Sequence, residues 1–396
     1  MIRTDEKALC SGCGACKLVC PKQCISFQKD NLGSLYAIVK SESCINCGAC
    51  NLVCPIQKSF GQGVIGEKAY VAYAQNEKIR LNGSSGGVFE TLADWVISQQ
   101  GSVFASKFDE NLKLRMFEAI TCEEVKTLTK SKYLQSEVCA RFPDIKERIK
   151  EGKAVLVCAT PCQIAALRNY LGKAADADNL YLLDFFCHGV PSQELFDICK
   201  EYVEKRDGIR IIGYEFRSKV KNGCTPHYYT LKYIKSERKL TKTRLYLRDP
   251  FYLGFQKYIT LRDSCYHCPY GLGNHAGDMT VGDFHNVDRY LQGINRFEGC
   301  STVIINNNKG GIMWDAVQDS LVVHEISVER LYHDHEIYAG GTQEPPKRRD
   351  FLDDLELFPF DRVAHKWFNP NKEWKKIVYY NLPAFLRKRL KAMMRL

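Results

Sequence analysis

Two stretches decide the first part of the fold, CSGCGACKLVCP at residues 10–21 and CINCGACNLVCP at residues 44–55. Every cysteine of the first stretch recurs 34 residues later, with Gly-Ala and Leu-Val repeated between the cysteines. A 34-residue period also occurs in helical tetratricopeptide arrays, but those arrays are built from helix pairs and carry no cysteines at these positions. The repeat therefore indicates a metal or cluster site that is built twice.

The spacing C-x2-C-x2-C-x3-C-P suits two [4Fe–4S] clusters that exchange one ligand. Three closely spaced cysteines wrap one cubane, and the fourth cysteine, beyond a turn, reaches the other. The predicted ligands are Cys10, Cys13, Cys16 and Cys54 for one cluster, and Cys20, Cys44, Cys47 and Cys50 for the other. A zinc knuckle is the alternative, but zinc takes four ligands per site without this crossing. The segment resembles a bacterial-type two-cluster ferredoxin. Cys24 belongs to neither ligand set, and its side chain is expected to be buried.

The composition is that of a soluble globular protein. Of the 396 residues, 45% are hydrophobic and 26% are charged, which is ordinary for globular domains. No apolar run has transmembrane length, and the N-terminus lacks the apolar core of a signal peptide. We therefore expect a cytoplasmic location, where the 19 cysteines serve as metal ligands rather than as disulfides.

The net charge of +10 lies mostly in the C-terminal tail. Residues 361–396 hold ten Lys/Arg against two Asp/Glu, so the rest of the chain is almost neutral. This distribution excludes a nucleic-acid groove in the body. The last stretch, NLPAFLRKRLKAMMRL at 381–396, reads as a basic amphipathic helix for peripheral contact with an anionic membrane surface. The alternative is a terminal helix that packs against its own domain.

After residue 66 the chain alternates between strand-like and helix-like segments. In the first unit a strand at 69–74 leads, after a turn, to the loop Gly83–Gly87 and then a helix to about Gln99. Glycine-rich backbone at a helix N-terminus offers free N–H groups to a phosphate. Serine and glycine before a helix are also an ordinary cap, so both interpretations stay open.

Two further units place cysteines just beyond strand ends. The strand at 154–157 ends at Cys158, and Cys162 opens the following helix. The next strand ends at Phe186 and is followed by Cys187, with Pro191 expected at the first position of a helix. In open α/β sheets, ligand crevices form at the carboxyl ends of strands.

A single C-x-x-C pair, Cys265 and Cys268, has no second pair close by. Together with Cys162 and Cys187 it would make a four-thiolate site from three loops. The alternatives are a redox dithiol or half a zinc site beside two buried cysteines. A mixed zinc site also stays open, because several histidines lie nearby in the sequence: His188, His267, His275 and His285.

Beyond the ferredoxin segment, the body resembles the beta subunit of coenzyme F420-reducing hydrogenase and its relatives. These relatives include deazaflavin-dependent dehydrogenase subunits and the ferredoxin-dependent hydroxymethyl-chlorophyllide reductase. The resemblance covers residues 66 to about 310. It rests on six short motifs in order: Ser84–Gly87, Ser131–Tyr133 with Ser136, Thr160–Gln163, Cys187–Gly189, Cys265 with Cys268, and Gly282–Phe284.

The resemblance implies one FAD and a third [4Fe–4S] cluster. The implied cluster ligands are Cys162, Cys187, Cys265 and Cys268. The implied cofactor contacts are Ser85, Gly86 and Gly87 along the FAD phosphates, Lys132, Tyr133 and Ser136 near the flavin, and Thr160 and Asp283 beside them. His188 and Lys132 are candidates for tuning or protonating the flavin, and the alternative for both is that they hold a loop.

The predicted fold class is α+β with α/β: a small bacterial-type two-cluster ferredoxin domain followed by an α/β flavin-binding body. The predicted parts are the ferredoxin domain at 1–65, the N-terminal part of the body at 66–150, its C-terminal part with the third cluster at 151–330, and a basic extension at 331–396.

The predicted function is that of an iron–sulfur flavoprotein oxidoreductase. It would couple a two-electron hydride exchange at FAD to one-electron transfer through the clusters. Its partners would be a ferredoxin or other redox protein and a small-molecule two-electron donor or acceptor. The first alternative is a non-catalytic electron-transfer subunit that serves a partner enzyme, and the second is a zinc-stabilised scaffold.

Coenzyme F420 is the expected substrate only if this chain follows the hydrogenase subunit. The stretch EPPKRRDFLDDLELFPFDRV at 344–363 instead resembles bacterial members of the group that are met among polysaccharide-biosynthesis proteins. In those members the use of the deazaflavin is not assured, so the sequence leaves the two-electron substrate open.

Overall fold

The computed structural model describes residues 2, 6–57, 68–219, 226–271, 273–284, 287, 299–334, 341–382 and 386. The strands are β1 Ile25–Lys29, β2 Leu35–Val39, β3 Lys68–Ala74, β4 Ser102–Phe108, β5 Leu114–Ala119, β6 Val155–Cys158, β7 Leu180–Phe185, β8 Arg210–Phe216, β9 Tyr228–Lys235, β10 Arg238–Leu245, β11 Met279–Asp283, β12 Ser301–Ile305 and β13 Leu321–Ile326. The α-helices are α1 Ala15–Leu18, α2 Ala49–Val53, α3 Glu77–Asn82, α4 Val88–Ser98, α5 Cys122–Leu128, α6 Phe142–Lys150, α7 Pro161–Leu171, α8 Gln193–Asp207, α9 Pro250–Gln256, α10 Asp263–Tyr266, α11 Asn308–Val317, α12 Val328–Asp334, α13 Arg348–Leu357, α14 Phe360–Trp367 and α15 Trp374–Asn381.

An eight-stranded mixed sheet forms the centre of the body. Its strand order is β13-β3-β12-β11-β7-β6-β4-β5. Strands β4, β6, β7 and β11 run parallel, and the outer strands pair antiparallel. The predicted fold class is therefore confirmed: an α/β body follows a small ferredoxin-type domain.

The sequence of the central strands explains their position. The strands VLVC of β6 and LYLLDF of β7 are almost continuous apolar runs, and nearly all their residues are buried. Strands with such runs belong inside a sheet covered on both faces. Because β6, β7 and β11 are parallel, the segments that follow Cys158, Phe185 and Asp283 leave the sheet at the same edge.

The N-terminal domain consists of the β1–β2 hairpin and the helices α1 and α2. A left-handed glycine precedes each helix, Gly14 with a φ of 88° and Gly48 with a φ of 77°. The domain shares one hydrophobic core with α6, α7 and the adjoining strands, so it is docked onto the body rather than tethered to it.

A three-stranded antiparallel sheet, β10-β9-β8, lies beside the main sheet. Together with α8, α9, α13 and α14 it forms a second hydrophobic core rich in aromatic side chains. The C-terminal extension is therefore packed onto the body at least as far as Phe368. No helix of the described residues is long and apolar enough to cross a membrane. The predicted basic helix at 381–396 lies almost wholly outside the described residues.

Most predicted boundaries hold to within one or two residues, with two exceptions. The turn between the first strand and the glycine-rich loop contains a short helix, α3, that was not predicted. The prediction that Pro191 begins a helix is wrong, because α8 begins at Gln193. Ser192 caps it by accepting a hydrogen bond from the Leu195 amide, and a cap of this kind satisfies an otherwise free N–H group.

Candidate iron–sulfur and flavin sites

The first ferredoxin repeat lines a pocket, the first ferredoxin cavity. The cysteines in its wall are Cys10, Cys13, Cys16 and Cys54. Gly12 and Gly14 also line the pocket and both have positive φ values, a conformation that glycine adopts without steric cost. Three cysteines from one repeat and one from the other thus face one cavity, so this wall fits a [4Fe–4S] cluster.

The second repeat lines a second pocket, the second cavity. The cysteines in its wall are Cys20, Cys24, Cys44, Cys47 and Cys50, one more than a cubane needs. Cys24 is buried as expected, and its Sγ lies 3.4 Å from the Sγ of Cys20. The second cavity therefore holds all four predicted ligands together with the surplus thiol.

Burial disfavours the thiolate forms of Cys13, Cys16 and Cys54 in the first cavity. Burial raises the pKa of Cys16 to about 12, and the neighbouring Cys10 and Cys54 raise it further. Burial also raises the pKa of Cys13 and of Cys54. Metal ligation requires thiolates, so cluster binding here must release protons and be stabilised by the charge of the iron.

No three His, Cys, Asp or Glu side chains among the described residues gather closely enough to hold a single metal ion. The ligands of one zinc ion meet at a point about 2.3 Å from each sulfur. The four cysteines of a [4Fe–4S] cluster instead surround a larger body.

A third group of cysteines lies at the edge of the main sheet, where the parallel strands end. Cys162 is the second residue of α7, Cys187 follows β7, Cys265 lies in α10, and Cys268 comes just after it. Burial raises the pKa of Cys187, and the charges of the other three thiols raise it further. The structure thus brings together the four cysteines that the sequence placed on three separate loops.

Close packing holds this third group in place. A Cβ atom on Gly189 would lie 2.8 Å from the Cys265 Cβ and 3.3 Å from its Sγ. Burial raises the pKa of Cys268 to about 12, and the thiols of Cys162 and Cys265 raise it further. The third group also adjoins the first ferredoxin cavity, since Cys162 and Cys268 pack against the same hydrophobic core as Cys13.

The residues predicted to bind flavin converge on Arg217, which sequence reasoning missed. Its guanidinium donates to Asp283 at 2.5 Å, to the Tyr133 hydroxyl at 3.1 Å and to the Ser84 carbonyl at 3.1 Å. Arg217 is buried and has a φ of 56°, a conformation uncommon for a residue with a side chain. It lies just beyond β8, outside every quoted motif, and the sequence carries no signal that marks it.

The glycine-rich loop before α4 is anchored by β12 and the residue before it. The Ser85 hydroxyl donates to the Cys300 carbonyl at 2.6 Å, and the Gly86 amide donates to the Ser301 hydroxyl at 2.9 Å. A Cβ atom on Gly86 would lie 2.8 Å from the Ser301 nitrogen. Gly87 caps α4 with a φ of 90°. The loop thus has a structural role, and its contact with FAD phosphates stays a prediction.

Lys132 is half-buried in the body. Its ammonium donates to the Leu128 carbonyl at 2.7 Å and to the Thr129 carbonyl at 2.5 Å. Burial lowers the pKa of Lys132 to about 7, against a smaller opposite effect of Cys158. His188 lies elsewhere, with its carbonyl accepting from the Thr342 hydroxyl and its ring 6.1 Å from that of Tyr258.

Gln163 connects two further predicted flavin residues. Its side chain donates to the Ser136 carbonyl at 3.0 Å and accepts from the Thr160 amide at 3.3 Å. The Thr160 hydroxyl in turn lies 3.3 Å from the Cys162 Sγ. The predicted flavin contacts and the third group of cysteines are therefore neighbours.

Comparisons with known proteins match parts of the chain to two families and to a solved structure. Residues 9–58 match the family described as 4Fe-4S dicluster domain. Residues 152–330 match the family described as the C terminus of the coenzyme F420 hydrogenase/dehydrogenase beta subunit. No curated protein matches the chain. Among solved structures, it is similar to a chain of the xenon-derivatised F420-reducing [NiFe] hydrogenase complex from Methanosarcina barkeri, with 16% identity, a TM-score of 0.46, and coverage of 74% of this chain and 90% of that one.

A dicluster ferredoxin domain docked on an α/β body defines an iron–sulfur protein of the oxidoreductase type. Over residues 152–330 the chain is similar to the C-terminal part of the coenzyme F420 hydrogenase/dehydrogenase beta subunit, and residues 9–58 match a 4Fe–4S dicluster domain.

Proposed function

We propose that this protein is an iron–sulfur flavoprotein that exchanges electrons between a ferredoxin-type chain and a two-electron substrate. In this proposal Cys162, Cys187, Cys265 and Cys268 hold a third [4Fe–4S] cluster, and FAD lies against the residues around Arg217. When bound, FAD supplies hydride chemistry and the clusters supply one-electron transfer. Coenzyme F420 is one candidate for the two-electron substrate.

The observation that carries the proposal is the position of the third group of cysteines. Cys162 and Cys268 pack against the same hydrophobic core as Cys13 of the first ferredoxin cavity, and the Cys162 Sγ lies 3.3 Å from the hydroxyl of Thr160, a predicted flavin contact. A redox centre at this point would join the two halves of the molecule. The four thiols come from separate elements, which a purely structural pair of cysteines would not require.

The neighbourhood of Arg217 fits an anionic cofactor. Its Nε is buried and has no hydrogen-bond partner among the described residues, and a buried donor of this kind is costly unless something satisfies it. The guanidinium is held by Asp283 and Tyr133, which fixes its plane. These contacts let the chain orient a cofactor oxygen, while Lys132, with a pKa near 7, is poised to hold or release a proton.

The proposal is tested by following electrons through a variant that lacks one cysteine of the third group. The wild-type protein and Cys265→Ser are mixed anaerobically with a reduced low-potential ferredoxin, and flavin absorbance is followed. We expect the wild-type flavin to bleach after the ferredoxin-type clusters are reduced. Cys265→Ser should retain its flavin and bleach far more slowly. Equal rates, or a wild-type protein without flavin, would refute the proposal.

A second candidate function, an electron-transfer subunit for a partner enzyme, is favoured by the surface beside the second cavity. Ile45 lines this cavity and Leu52 lies two residues after its predicted ligand Cys50; the two are 57% and 61% exposed. Exposed apolar side chains around a redox centre suit docking of a partner protein. This candidate predicts that Leu52→Asp slows reduction by ferredoxin while the rate with a small-molecule reductant stays unchanged.

A further inference from the structure

We propose that Arg262 is a positioning residue whose charge is shared between the first ferredoxin cavity and the third group of cysteines. It would set the reduction potential of both centres and fix their separation. The inference rests on the proposed third cluster for one of its two centres. The other centre belongs to the dicluster domain alone.

Arg262 joins the two parts of the molecule directly. Its Nη2 donates to the Cys10 carbonyl at 2.9 Å and to the Leu35 carbonyl at 2.8 Å, both in the ferredoxin domain. Its guanidinium also lies 4.8 Å from the centre of the Tyr36 ring, within the range of a cation–π interaction. On the side of the body, its Nε donates to the Ser264 hydroxyl at 3.2 Å.

Gln135 completes this connection from a third segment. Its side-chain oxygen accepts a hydrogen bond from Arg262 Nη1. Its nitrogen donates to the carbonyls of Ser11 and Gly12 at 3.0 Å each. A Cβ atom on Gly12 would lie 2.7 Å from Arg262 Nη2, so the cluster-binding loop can approach the guanidinium only because position 12 is glycine. The backbone of the first cavity is therefore held against Arg262 on several sides.

The lack of a salt bridge to a carboxylate distinguishes Arg262 from every other buried arginine in the described part of the chain. Arg168 pairs with Asp278, Arg217 with Asp283, and Arg348 with Asp263 and Glu344. Arg262 is only 1% exposed and forms no salt bridge to an Asp or Glu among the described residues. Its partners are carbonyls, a hydroxyl, an amide oxygen and a ring.

A buried cation without a counter-ion is strongly disfavoured. The adjacent cysteines supply the missing negative charge once they are ligands, because a [4Fe–4S] cluster with its four thiolates is an anion of about −2 when oxidised. The backbone of Arg262 is tied to the same cysteine loops. Its carbonyl accepts a hydrogen bond from the Cys265 amide at 3.0 Å, and its amide donates to the Val190 carbonyl at 3.2 Å.

The same charge favours the reduced form of both centres, because reduction adds one negative charge to each.

Arg348 provides the matched comparison. It is also buried and lies near Cys265, but it is paired with two carboxylates. Its removal also takes away one positive charge, but the carboxylates left behind, Asp263 and Glu344, are 30% and 49% exposed, so water and salt screen the change.

The test is an anaerobic redox titration of the full-length protein, followed by electron paramagnetic resonance. The variants are Arg262→Gln, Arg262→Lys and Arg348→Gln. We expect Arg262→Gln to lower the equilibrium constant for reduction at least tenfold at the first ferredoxin cluster and at the third cluster, about 59 mV for a one-electron couple. Arg262→Lys should stay within about threefold of wild type, as should Arg348→Gln. A lysine shift as large as the glutamine shift, or no shift with glutamine, would overturn the inference.

Gln135→Glu keeps the inference testable if Arg262→Gln loses iron. It leaves Arg262 in place and sets a carboxylate of similar shape against its Nη1. We expect a shift in the same direction as for Arg262→Gln, and unchanged potentials at full iron content would count against the role of charge. Iron content separates the two proposals. A wild-type protein with only the two ferredoxin clusters refutes the third cluster, while the potential of the first ferredoxin cluster still tests Arg262.

Discussion

Replacing Arg217 with methionine tests how the small sheet and the main sheet are joined. The side chain is buried at the end of β8 and reaches Asp283 at the end of β11. It also donates to the Ser84 carbonyl and the Tyr133 hydroxyl. Methionine preserves much of the apolar stem and removes all three hydrogen bonds together with the charge.

The expected loss of stability is about 3 kcal/mol. Removing one partner of a buried ion pair costs about 3–5 kcal/mol, because the other charge is left without compensation. Asp283 is 24% exposed, so water partly solvates it and the lower end of that range applies. The lost hydrogen bonds to neutral groups are included in this figure, since such values are not additive.

The assay is anaerobic urea unfolding followed by far-ultraviolet circular dichroism, with flavin content measured in parallel. Asp283→Asn and the double variant complete a thermodynamic cycle, for which we expect a coupling energy of about 2 kcal/mol. A loss below about 1 kcal/mol for Arg217→Met, or no coupling with Asp283, would refute the structural reasoning. If FAD binds here, Arg217→Met should lose flavin while keeping its full iron content.

Three further predictions concern other parts of the molecule. Gly14→Ala should destabilise the ferredoxin domain by at least about 1 kcal/mol more than Gly48→Ala, as measured by urea unfolding. Both glycines have positive φ, but only a Cβ on Gly14 would meet a side-chain sulfur, that of Cys139, at 2.5 Å. In a Cys139→Gly background most of this difference should disappear. Burial lowers the pKa of Lys132 to about 7, so between about pH 7 and about pH 9 the unfolded chain holds a proton that the folded chain has released, and stability rises with pH. Lys132→Met should lose that rise in the free energy of unfolding, which is roughly 2 kcal/mol between urea titrations at about pH 7 and about pH 9. An unchanged pH dependence would contradict the lowered pKa. Cys265→Ser should reduce the iron content from about twelve to about eight per chain in anaerobic colorimetric analysis, whereas Cys139→Gly should leave it unchanged.

Cysteine spacing made the ferredoxin domain predictable because the ligands are local in sequence. The repeat places three cysteines within seven residues, and the crossing of the fourth follows from cluster geometry alone. The strands β6 and β7 were predictable for a similar reason, since apolar runs that end in cysteine loops indicate buried parallel strands. Their cysteines do leave the sheet at one edge, beside each other.

The features that escaped prediction depend on contacts between distant segments. Arg217 lies outside every motif, and Arg262 precedes the Cys265–Cys268 pair without belonging to it. Apart from Ser264, the hydrogen-bond partners of their side chains lie between 66 and 252 residues away along the chain. Pro191 was misplaced because proline suits both the first turn of a helix and the residue before its cap. The helix begins after Ser192, because the Ser192 hydroxyl accepts a hydrogen bond from the Leu195 amide.

Iron, sulfide and flavin quantitation on anaerobically purified protein tests the central claim most directly. The account predicts about twelve irons, about twelve sulfides and about one FAD per chain. About eight irons without flavin would contradict it, because only the ferredoxin domain would then carry redox centres and the third group of cysteines would need another explanation.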